Sequence, residues 1–274
     1  MSNSKQLSSD NPSALLAFLA WFGAPACAFT TTCGGLFLFT LEAFRRIWAR
    51  HMLRRVMRQV YVIGAKSFLL IALIGLFTGM VLGLQGYYSL VKFGADGFLG
   101  AAVALTLIRE LGPVLTAIMV TGRAGSSMAA EIGVMRISDQ VDALDVMDIN
   151  SMSYLVSPRL VASLIVFPLL TAIFDIIGII GGYITGVIML GMNSGVYVSR
   201  VESSVEMLDV RGGFIKAAAF AILVSMACSY MGYFVHKRRD SAGPEAVSNA
   251  TTAAVVLSCV LILMFDYVLT SFLL

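Results

Sequence analysis

The chain has 274 residues, of which 58% are hydrophobic and only 13% are charged, and its mean hydropathy is +0.88. A soluble domain carries about 25% charged residues, so most of the surface of this chain must face lipid. This composition excludes a cytosolic enzyme, a disordered chain and a secreted disulfide scaffold. The formal net charge of +3 is too small to indicate a nucleic-acid partner.

The residue types that usually build metal and catalytic sites are scarce. The four cysteines form no C-x-x-C pair and lie among apolar or small residues, which is typical of free thiols inside a membrane. The two histidines, His51 and His236, lie beside arginine or lysine. The sequence therefore predicts neither a zinc site nor a catalytic triad, and we expect no cofactor in this chain.

The N-terminal part of the chain is predicted to stay at the membrane surface. Residues 1–35 form a partly apolar extension, which we expect to be uncleaved because Pro25 interrupts the apolar run and arginines follow at once. Residues 36–61 mix six arginines with aromatic and aliphatic residues. This mixture predicts an amphipathic interfacial helix, and a helix packed on a partner protein is the alternative.

Five later segments are long and apolar enough to cross a membrane, since a transmembrane helix needs about 20 mostly apolar residues. They are 67–87, 97–122, 160–190, 212–235 and 246–274. The predicted fold class is an all-α membrane protein with about five transmembrane helices, preceded by the N-terminal amphipathic interfacial helix. No internal repeat is visible, which counts against a secondary transporter built from repeats.

Lysine and arginine are distributed unequally between the two sides of these spans. With a cytoplasmic N-terminus, the inner segments 1–66, 123–159 and 236–245 carry 14 basic residues, and the outer segments 88–96 and 191–216 carry four. Basic residues accumulate on the cytoplasmic side of membrane proteins. The sequence therefore predicts a cytoplasmic N-terminus and, after five spans, a C-terminus on the opposite side.

Segment 123–159, which joins the second and third spans, is long and polar. It carries five carboxylates and three arginines around apolar residues at helical spacing, namely Ile132, Met135, Val141, Leu144 and Met147. This pattern predicts short helices on the cytoplasmic face. An amphipathic surface between two spans favours a docking site for a partner protein over a merely solvated loop.

Charged residues inside the spans are the strongest functional signal. Arg109 and Glu110 lie about 18 Å into the second span, near the bilayer midplane, where an arginine costs about 2.5–3.5 kcal/mol. Pro113 removes the hydrogen bond to the carbonyl of Arg109 and is expected to kink the helix there. The functional hypothesis is a polar point in a substrate cavity that binds an anionic headgroup, and the structural alternative is an interhelical ion pair.

Three further charged residues lie in the later spans. Asp175 and Asp266 lie in mid-span and are candidates to pair with Arg109 or Lys216, or to form a proton relay. Lys216 lies near the outer end of its span, where it either snorkels to the interface or contacts a ligand.

Glycines are concentrated in the first and third spans. They are Gly75, Gly79, Gly83 and Gly86 in the first span, and Gly178, Gly181, Gly182 and Gly186 in the third. Small residues at such spacing permit close approach of two helices. We therefore expect tight packing of these spans, either within the chain or at a subunit interface.

Several blocks of the sequence resemble the MlaE/YrbE family of ABC-transporter permeases. The blocks are GLFTGMVLGLQGYYSL (75–90), ALTLIRELGPVLTAIMVTGRAGSSMAAEIGVMRISDQVDALDVMDIN (104–150), YLVSPRL (154–160), SNATTAAVV (248–256) and FDYVLT (265–270). The resemblance defines a permease domain over residues 36–274 and leaves the first 35 residues uncovered.

The resemblance implies a function, a location and a set of partners. The chain is expected to be a non-enzymatic permease in the bacterial inner membrane, with a periplasmic C-terminus. It is expected to form a homodimer whose segment 123–159 docks on cytoplasmic ATPase subunits, which hold ATP and magnesium. A periplasmic ring of MCE-domain proteins and a STAS-domain protein are further implied partners.

The implied cargo is phospholipid, which is moved between the inner and outer membranes to maintain outer-membrane lipid asymmetry. The alternative is an ion- or proton-coupled secondary transporter that uses the mid-membrane charges.

The resemblance also implies roles for individual residues. Arg109 and Glu110 match the charged pair of the RELGP block, and Leu82, Leu90 and Phe93 lie where an outward-open lipid pocket is lined. The expected lipid-binding residues are Arg109, Glu110, Lys216, Leu82, Leu90, Phe93 and Asp266. The expected ATPase-coupling residues are Glu131, Arg136, Asp139 and Asp142.

Overall fold

The computed structural model describes residues 34–45, 52–237 and 243–273. Their main helices are α1 (34–45), α2 (Leu53–Val91), α3 (Asp96–Ile137), α4 (Gln140–Val146), α5 (Ser151–Met189), α6 (Ser194–Ser204), α7 (Met207–Tyr233) and α8 (Pro244–Leu273). Helices α2, α3, α5, α7 and α8 are long and apolar enough to cross a membrane. The predicted all-α membrane fold with five spans is therefore confirmed.

Three of the long helices contain π-helical turns, which interrupt the regular hydrogen-bond ladder and often mark functional sites. The turns are Tyr61–Ala65 in α2, Leu107–Leu111 and Thr121–Gly125 in α3, and Ile184–Met189 in α5. The first π turn of α3 contains Arg109 and Glu110, so the charges that the sequence singles out lie on irregular backbone.

The long helices extend beyond the predicted spans. Helix α3 continues past the predicted end at residue 122 to Ile137, and α5 begins at Ser151 rather than at residue 160. Hydropathy detects only the part of a helix that matches the bilayer, whereas the backbone hydrogen bonds continue past it. The predicted coupling segment 123–159 therefore consists of the end of α3, the short helix α4 and the start of α5.

The predicted interfacial helix 36–61 is divided between two elements. Residues 46–51 lie outside the described part of the chain, as do residues 1–33 of the predicted extension. Residues 52–60 are helical and form the beginning of α2, which continues through the π turn at Tyr61–Ala65 into the apolar span. The second half of the predicted interfacial helix is therefore continuous with the first long helix.

Helix α1 packs against the end of α7. The ring of Phe39 is 5% exposed and lies 5.6 to 6.0 Å, between ring centroids, from Tyr230, Tyr233 and Phe234. Ala43 is fully buried, and its carbonyl accepts a 3.3 Å hydrogen bond from the Ser157 hydroxyl at the start of α5. Apolar burial thus fixes this part of the N-terminal region to the helix bundle.

Glycines bring α2 and α5 together along their length. A Cβ atom on Gly79 would collide with the carbonyl oxygen of Gly178, and one on Gly75 would lie 2.9 Å from the carbonyl oxygen of Phe174. The two glycine-rich faces therefore contact each other inside one chain. The tight packing expected from their spacing is confirmed, and its place is within the protomer.

Helix α6 is attached to α5 by a buried tyrosine. Tyr197 is 1% exposed, and its hydroxyl donates a 3.1 Å hydrogen bond to the carbonyl oxygen of Ile179. Burial raises the pKa of Tyr197 to about 12, because the phenolate form would be poorly solvated there. The hydroxyl therefore keeps its proton and remains a donor at neutral pH.

Replacing Gly79 with alanine is expected to destabilise the protein by about 1–3 kcal/mol, because the new methyl group overlaps a backbone carbonyl that is itself held in a helix. The measurement is the midpoint of thermal unfolding of the purified protein in detergent. Gly122→Ala is the control, since a Cβ there meets nothing within 4 Å and alanine favours a helix. Equal midpoints for the two variants would contradict the assigned packing.

Candidate functional site

The site begins at the backbone of the π turn Leu107–Leu111. Pro113 has no N–H group, so the carbonyl oxygen of Arg109 lacks its usual helical donor. Gly112 lies beside Asp175 of α5 so closely that a Cβ would collide with its carboxylate. The distortion predicted at Pro113 therefore takes the form of a π turn whose backbone is open to neighbouring helices.

Lys216 of α7 supplies the missing donor. Its Nζ donates to the carbonyl oxygen of Arg109 at 2.9 Å, to Glu110 Oε2 at 2.7 Å and to Thr270 Oγ1 at 2.7 Å. Asp266 Oδ1 lies 3.3 Å from the same nitrogen. An ammonium group has three protons to donate, so Lys216 is fully used within the protein and joins α3, α7 and α8.

The structure excludes the snorkelling arrangement for Lys216. Its side chain is only 3% exposed and points into the bundle. Gly213, nearly one turn earlier, allows this approach, because a Cβ there would lie 2.6 Å from the carbonyl oxygen of Ile108. The position near the end of a predicted span was misleading, since the glycine permits α7 to pack its lysine against α3.

Arg109 binds a different carboxylate. Its Nε donates to Asp209 Oδ1 at 2.7 Å, while Asp209 Oδ2 accepts the backbone N–H of Glu206 at 3.1 Å. The Asp209 side chain is 8% exposed and is fixed by the capping box that begins α7. The Arg109 side chain remains 45% exposed. Within the described residues, its terminal nitrogens have no hydrogen-bond partner and are accessible to an anion.

Sequence reasoning missed Asp209 and Thr270. The spacing of Glu206 and Asp209 before an apolar run is a helix-start signal, which was available in the sequence. The contact between Asp209 and Arg109 joins residues 100 positions apart and depends on the packing of α7 against α3. Thr270 is an uncharged residue in an apolar span, and nothing in the sequence distinguishes it.

The charged residues surround a cavity of about 170 Å³ between α3, α7 and α8, with Leu208 and Leu273 among its apolar lining. Ligand pockets for whole organic molecules usually measure about 300–1,000 Å³, so this space fits a headgroup rather than a complete lipid. The cluster contains two cations and three carboxylates, which give a formal charge of −1 when all are ionised. This balance suits a headgroup with both anionic and cationic parts.

Asp175 lies in a separate cavity of about 190 Å³ beside Thr171. Its Oδ1 atom is buried without a hydrogen-bond partner among the described residues. Neither Arg109 nor Lys216 pairs with it, so the predicted ion pair is wrong for Asp175 and correct for Asp266 with Lys216. The two mid-span aspartates therefore have different surroundings.

The apolar residues predicted to line a lipid pocket lie on and just beyond α2. Leu82 and Leu90 are partly buried against the core, whereas Phe93 is 84% exposed just beyond the helix end. These three residues do not line the cavity around Lys216. Their contribution to a lipid pocket stays a prediction.

The predicted coupling residues lie together at one end of the bundle. Arg136 Nη1 pairs with Asp142 at 2.6 Å, and its Nε donates to His236 Nδ1 at 3.1 Å. Glu131 forms an ion pair with Arg159 of α5, with 2.9 Å between Oε2 and Nη2. Asp139 has a φ of 56°, a conformation that aspartate tolerates, and turns the chain into α4. The ion pairs therefore hold α4 and the start of α5 against the end of α3.

The same segment presents apolar side chains to the outside. Val146, at the end of α4, is 88% exposed, and the adjacent Met147 is 64% exposed. Exposed apolar residues on a polar segment are typical of an interaction surface. The docking of a partner protein on this segment stays a prediction.

The five helices that are long and apolar enough to cross a membrane define a multi-pass membrane protein. The sequence profile of the family described as Permease MlaE matches residues 56–272. The chain belongs to the MlaE permease family.

Two similar bacterial proteins carry permease names, and a similar plant protein carries a different name. A probable ABC transporter permease protein of Rickettsia bellii is 42% identical over 78% of this chain and 81% of its own length. The intermembrane phospholipid transport system permease protein MlaE of Haemophilus influenzae is 42% identical over 79% of this chain and 81% of its own length. The chloroplastic protein TRIGALACTOSYLDIACYLGLYCEROL 1 of Arabidopsis thaliana is 31% identical over 80% of this chain and 61% of its own length.

Lys216→Met is expected to destabilise the fold by about 3 kcal/mol, because it leaves the Glu110 and Asp266 carboxylates without their cation and the Arg109 carbonyl without a donor. Thermal unfolding in detergent measures this loss. Lys92→Met removes an exposed lysine and serves as the control. A Lys216 variant as stable as the control would show that the buried network contributes nothing to stability.

Proposed function

We propose that this chain is the permease subunit of an ATP-driven phospholipid transporter in the bacterial inner membrane. In this proposal the transporter moves lipid between the inner and outer membranes and maintains outer-membrane lipid asymmetry. The observation that carries the proposal is the half-exposed Arg109 guanidinium, held through Nε by Asp209 beside a small polar cavity. The printed name of the Haemophilus influenzae relative, an intermembrane phospholipid transport permease, supports the same cargo.

The proposed headgroup contact is made by Arg109. Its terminal nitrogens donate charge-assisted hydrogen bonds to the lipid phosphate, while Asp209 fixes the plane of the guanidinium. Glu110 is 38% exposed beside the cavity and faces the cationic part of a zwitterionic headgroup. Lys216 and Asp266 do not need to touch the lipid, because their role is to position Glu110 and the π turn. The surplus of carboxylates weakens phosphate binding and permits release.

The acyl chains require an apolar surface outside this cavity. Helix α8 exposes a series of large apolar side chains, namely Leu263, Met264, Tyr267 and Phe272. A two-fold homodimer that places two such faces opposite each other would enclose a shared apolar space. Leu82 and Leu90 on α2, and Phe93 just beyond its end, would also line this space. The homodimer thus belongs to the proposal as the assembly that completes the lipid pocket.

The proposed energy source is a cytoplasmic ATPase docked on the segment from the end of α3 to the start of α5. Its exposed Val146 and Met147 form the apolar centre, and Glu131, Arg136, Asp139 and Asp142 form the polar surroundings. The excess of basic residues at this end supports its cytoplasmic orientation, with a periplasmic C-terminus. The proposal includes a periplasmic MCE-domain ring and a STAS-domain protein, the further partners that the resemblance to the family implies.

Arg109→Ala is expected to reduce crosslinking of a photoreactive phospholipid at least tenfold, because the charge-assisted contact to phosphate is lost. The same variant, assembled with its ATPase, is expected to lose lipid-stimulated ATP hydrolysis. Arg211→Ala is the control, since Arg211 is exposed on α7 and does not line the cavity. Wild-type crosslinking and hydrolysis in Arg109→Ala would contradict the headgroup role, and transport by the wild-type chain without ATPase would favour the secondary transporter.

Val146→Asp is expected to abolish co-purification of the ATPase, because a carboxylate would replace the most exposed apolar side chain of the docking segment. Val198→Asp provides a matched control, since Val198 is 53% exposed on α6, away from this segment. Both variants should keep the wild-type unfolding midpoint. Equal retention of the ATPase by both would place the docking surface elsewhere.

A further inference from the structure

We propose that the protein has a second lipid site, a basic pocket that binds the phosphate-bearing headgroup of an anionic phospholipid from the surrounding membrane. The pocket has a volume of about 630 Å³ and lies between the starts of α2 and α5 and the end of α3. Arg55, Arg58 and Arg159 line it together with one carboxylate, Glu131. This inference concerns a bound membrane lipid rather than transported cargo, and of the proposed function it uses only the cytoplasmic orientation of this end of the bundle.

The charge of this pocket differs from that of the Arg109 cavity. Three guanidinium groups and one carboxylate give a formal charge of +2, whereas the Arg109 cluster has a formal charge of −1. Cations that converge on one cavity repel each other, and an anion in the cavity removes that cost. The pocket therefore selects for a net negative headgroup, which the other cavity does not.

Arg159 provides the strongest sign of an incomplete site. It is 4% exposed, its Nη2 pairs with Glu131 at 2.9 Å, and its Nη1 donates to the Leu155 carbonyl at 2.7 Å. Its Nε is buried and has no hydrogen-bond partner among the described residues. A buried guanidinium is costly unless its donors and its charge are satisfied. A phosphate in the pocket would balance the positive charge of this guanidinium.

The other two arginines lie where they can complete the contact. Arg55 stacks on the ring of Tyr154 at 3.8 Å from the centroid, which limits its motion while its N–H edge remains available. Arg58 lies about one turn further along the same helix and also lines the pocket. Planar guanidinium groups bind phosphate oxygens in pairs of hydrogen bonds, and three of them line this pocket.

The surroundings favour a lipid over free phosphate. Val62, Val134, Met135 and Leu155 supply apolar walls next to the arginines. The pocket lies at the ends of membrane-crossing helices, where arginine and tyrosine meet the headgroup layer. Basic pockets between such helices on the cytoplasmic side bind anionic headgroups. A volume of about 630 Å³ accommodates a headgroup with its glycerol unit, which is more than inorganic phosphate needs.

The test is native mass spectrometry of the full-length protein in detergent with added phosphatidylglycerol. Each arginine near the headgroup layer contributes about 1 kcal/mol, so Arg55→Gln and Arg58→Gln should each weaken binding about fivefold, and the double variant about 25-fold. Arg54→Gln is the matched control, because Arg54 is exposed on the same helix and does not line the pocket. Arg58→Lys should retain most of the affinity, and zwitterionic phosphatidylcholine should bind weakly to every variant.

Further arms separate this site from its alternatives. Phosphatidylglycerol binding should persist in Arg109→Ala, which distinguishes it from binding in the proposed transport cavity. Excess inorganic phosphate should fail to displace the lipid, and efficient displacement would overturn the lipid assignment in favour of a free-phosphate site. An equal loss of phosphatidylglycerol binding in Arg54→Gln would show that diffuse surface charge, and not the pocket, binds the lipid. Wild-type lipid binding in the double variant, with loss of the ATPase partner, would instead make the pocket a protein-docking site.

Discussion

The structure depends on one buried interaction, the donation of a hydrogen bond by Lys216 to the carbonyl that Pro113 leaves open at Arg109. A proline inside a membrane helix is tolerated only when another group satisfies the freed backbone oxygen. Here the donor is charged, so carboxylates must accompany it, and Glu110 and Asp266 are the accompanying groups. The need to satisfy one backbone atom thereby brings three helices to a common point and creates a polar cavity inside an apolar bundle.

Much of this arrangement could be predicted from the sequence, because the relevant signals are local. Hydropathy identified the five spans, and charges inside apolar stretches identified Arg109, Glu110, Lys216 and Asp266 as residues that share a purpose. The contacts that these residues make with each other are harder to predict from the sequence. Lys216 contacts Thr270, 54 positions away, and Arg109 contacts Asp209, 100 positions away, since glycines decide which helix faces approach. The ends of the long helices could not be predicted from hydropathy either, because hydropathy marks only the part of a helix inside the bilayer while the backbone hydrogen bonds continue beyond it.

The two polar cavities illustrate how similar residue types acquire different roles through charge balance. At Arg109, Asp209 holds the guanidinium through Nε, and in the proposed function the surplus of carboxylates keeps the affinity for an anion low, so that the cargo can leave. At Arg159 a surplus of arginines leaves a buried donor without a partner, which suits a ligand that stays. The two proposals therefore differ in the affinity that they require, which is weak for lipid passing the Arg109 cavity and stronger for lipid that stays in the basic pocket.

Helix α3 connects the cavity to the docking segment, and its irregular backbone determines how the two ends are related. The π turn at Leu107–Leu111 holds the charged pair, and the second, at Thr121–Gly125, holds Arg123. Arg123 donates to Ser67 Oγ at 2.8 Å and to the Val62 carbonyl at 3.3 Å, which lies in the π turn of α2. Irregular turns in two helices are therefore joined by one arginine, midway between the cavity and α4. In the proposed transport cycle, a displacement of α4 by the ATPase is transmitted to Arg109 through this junction. The straight helical segments on either side of the junction move as rigid units, and the helix bends at the π turns.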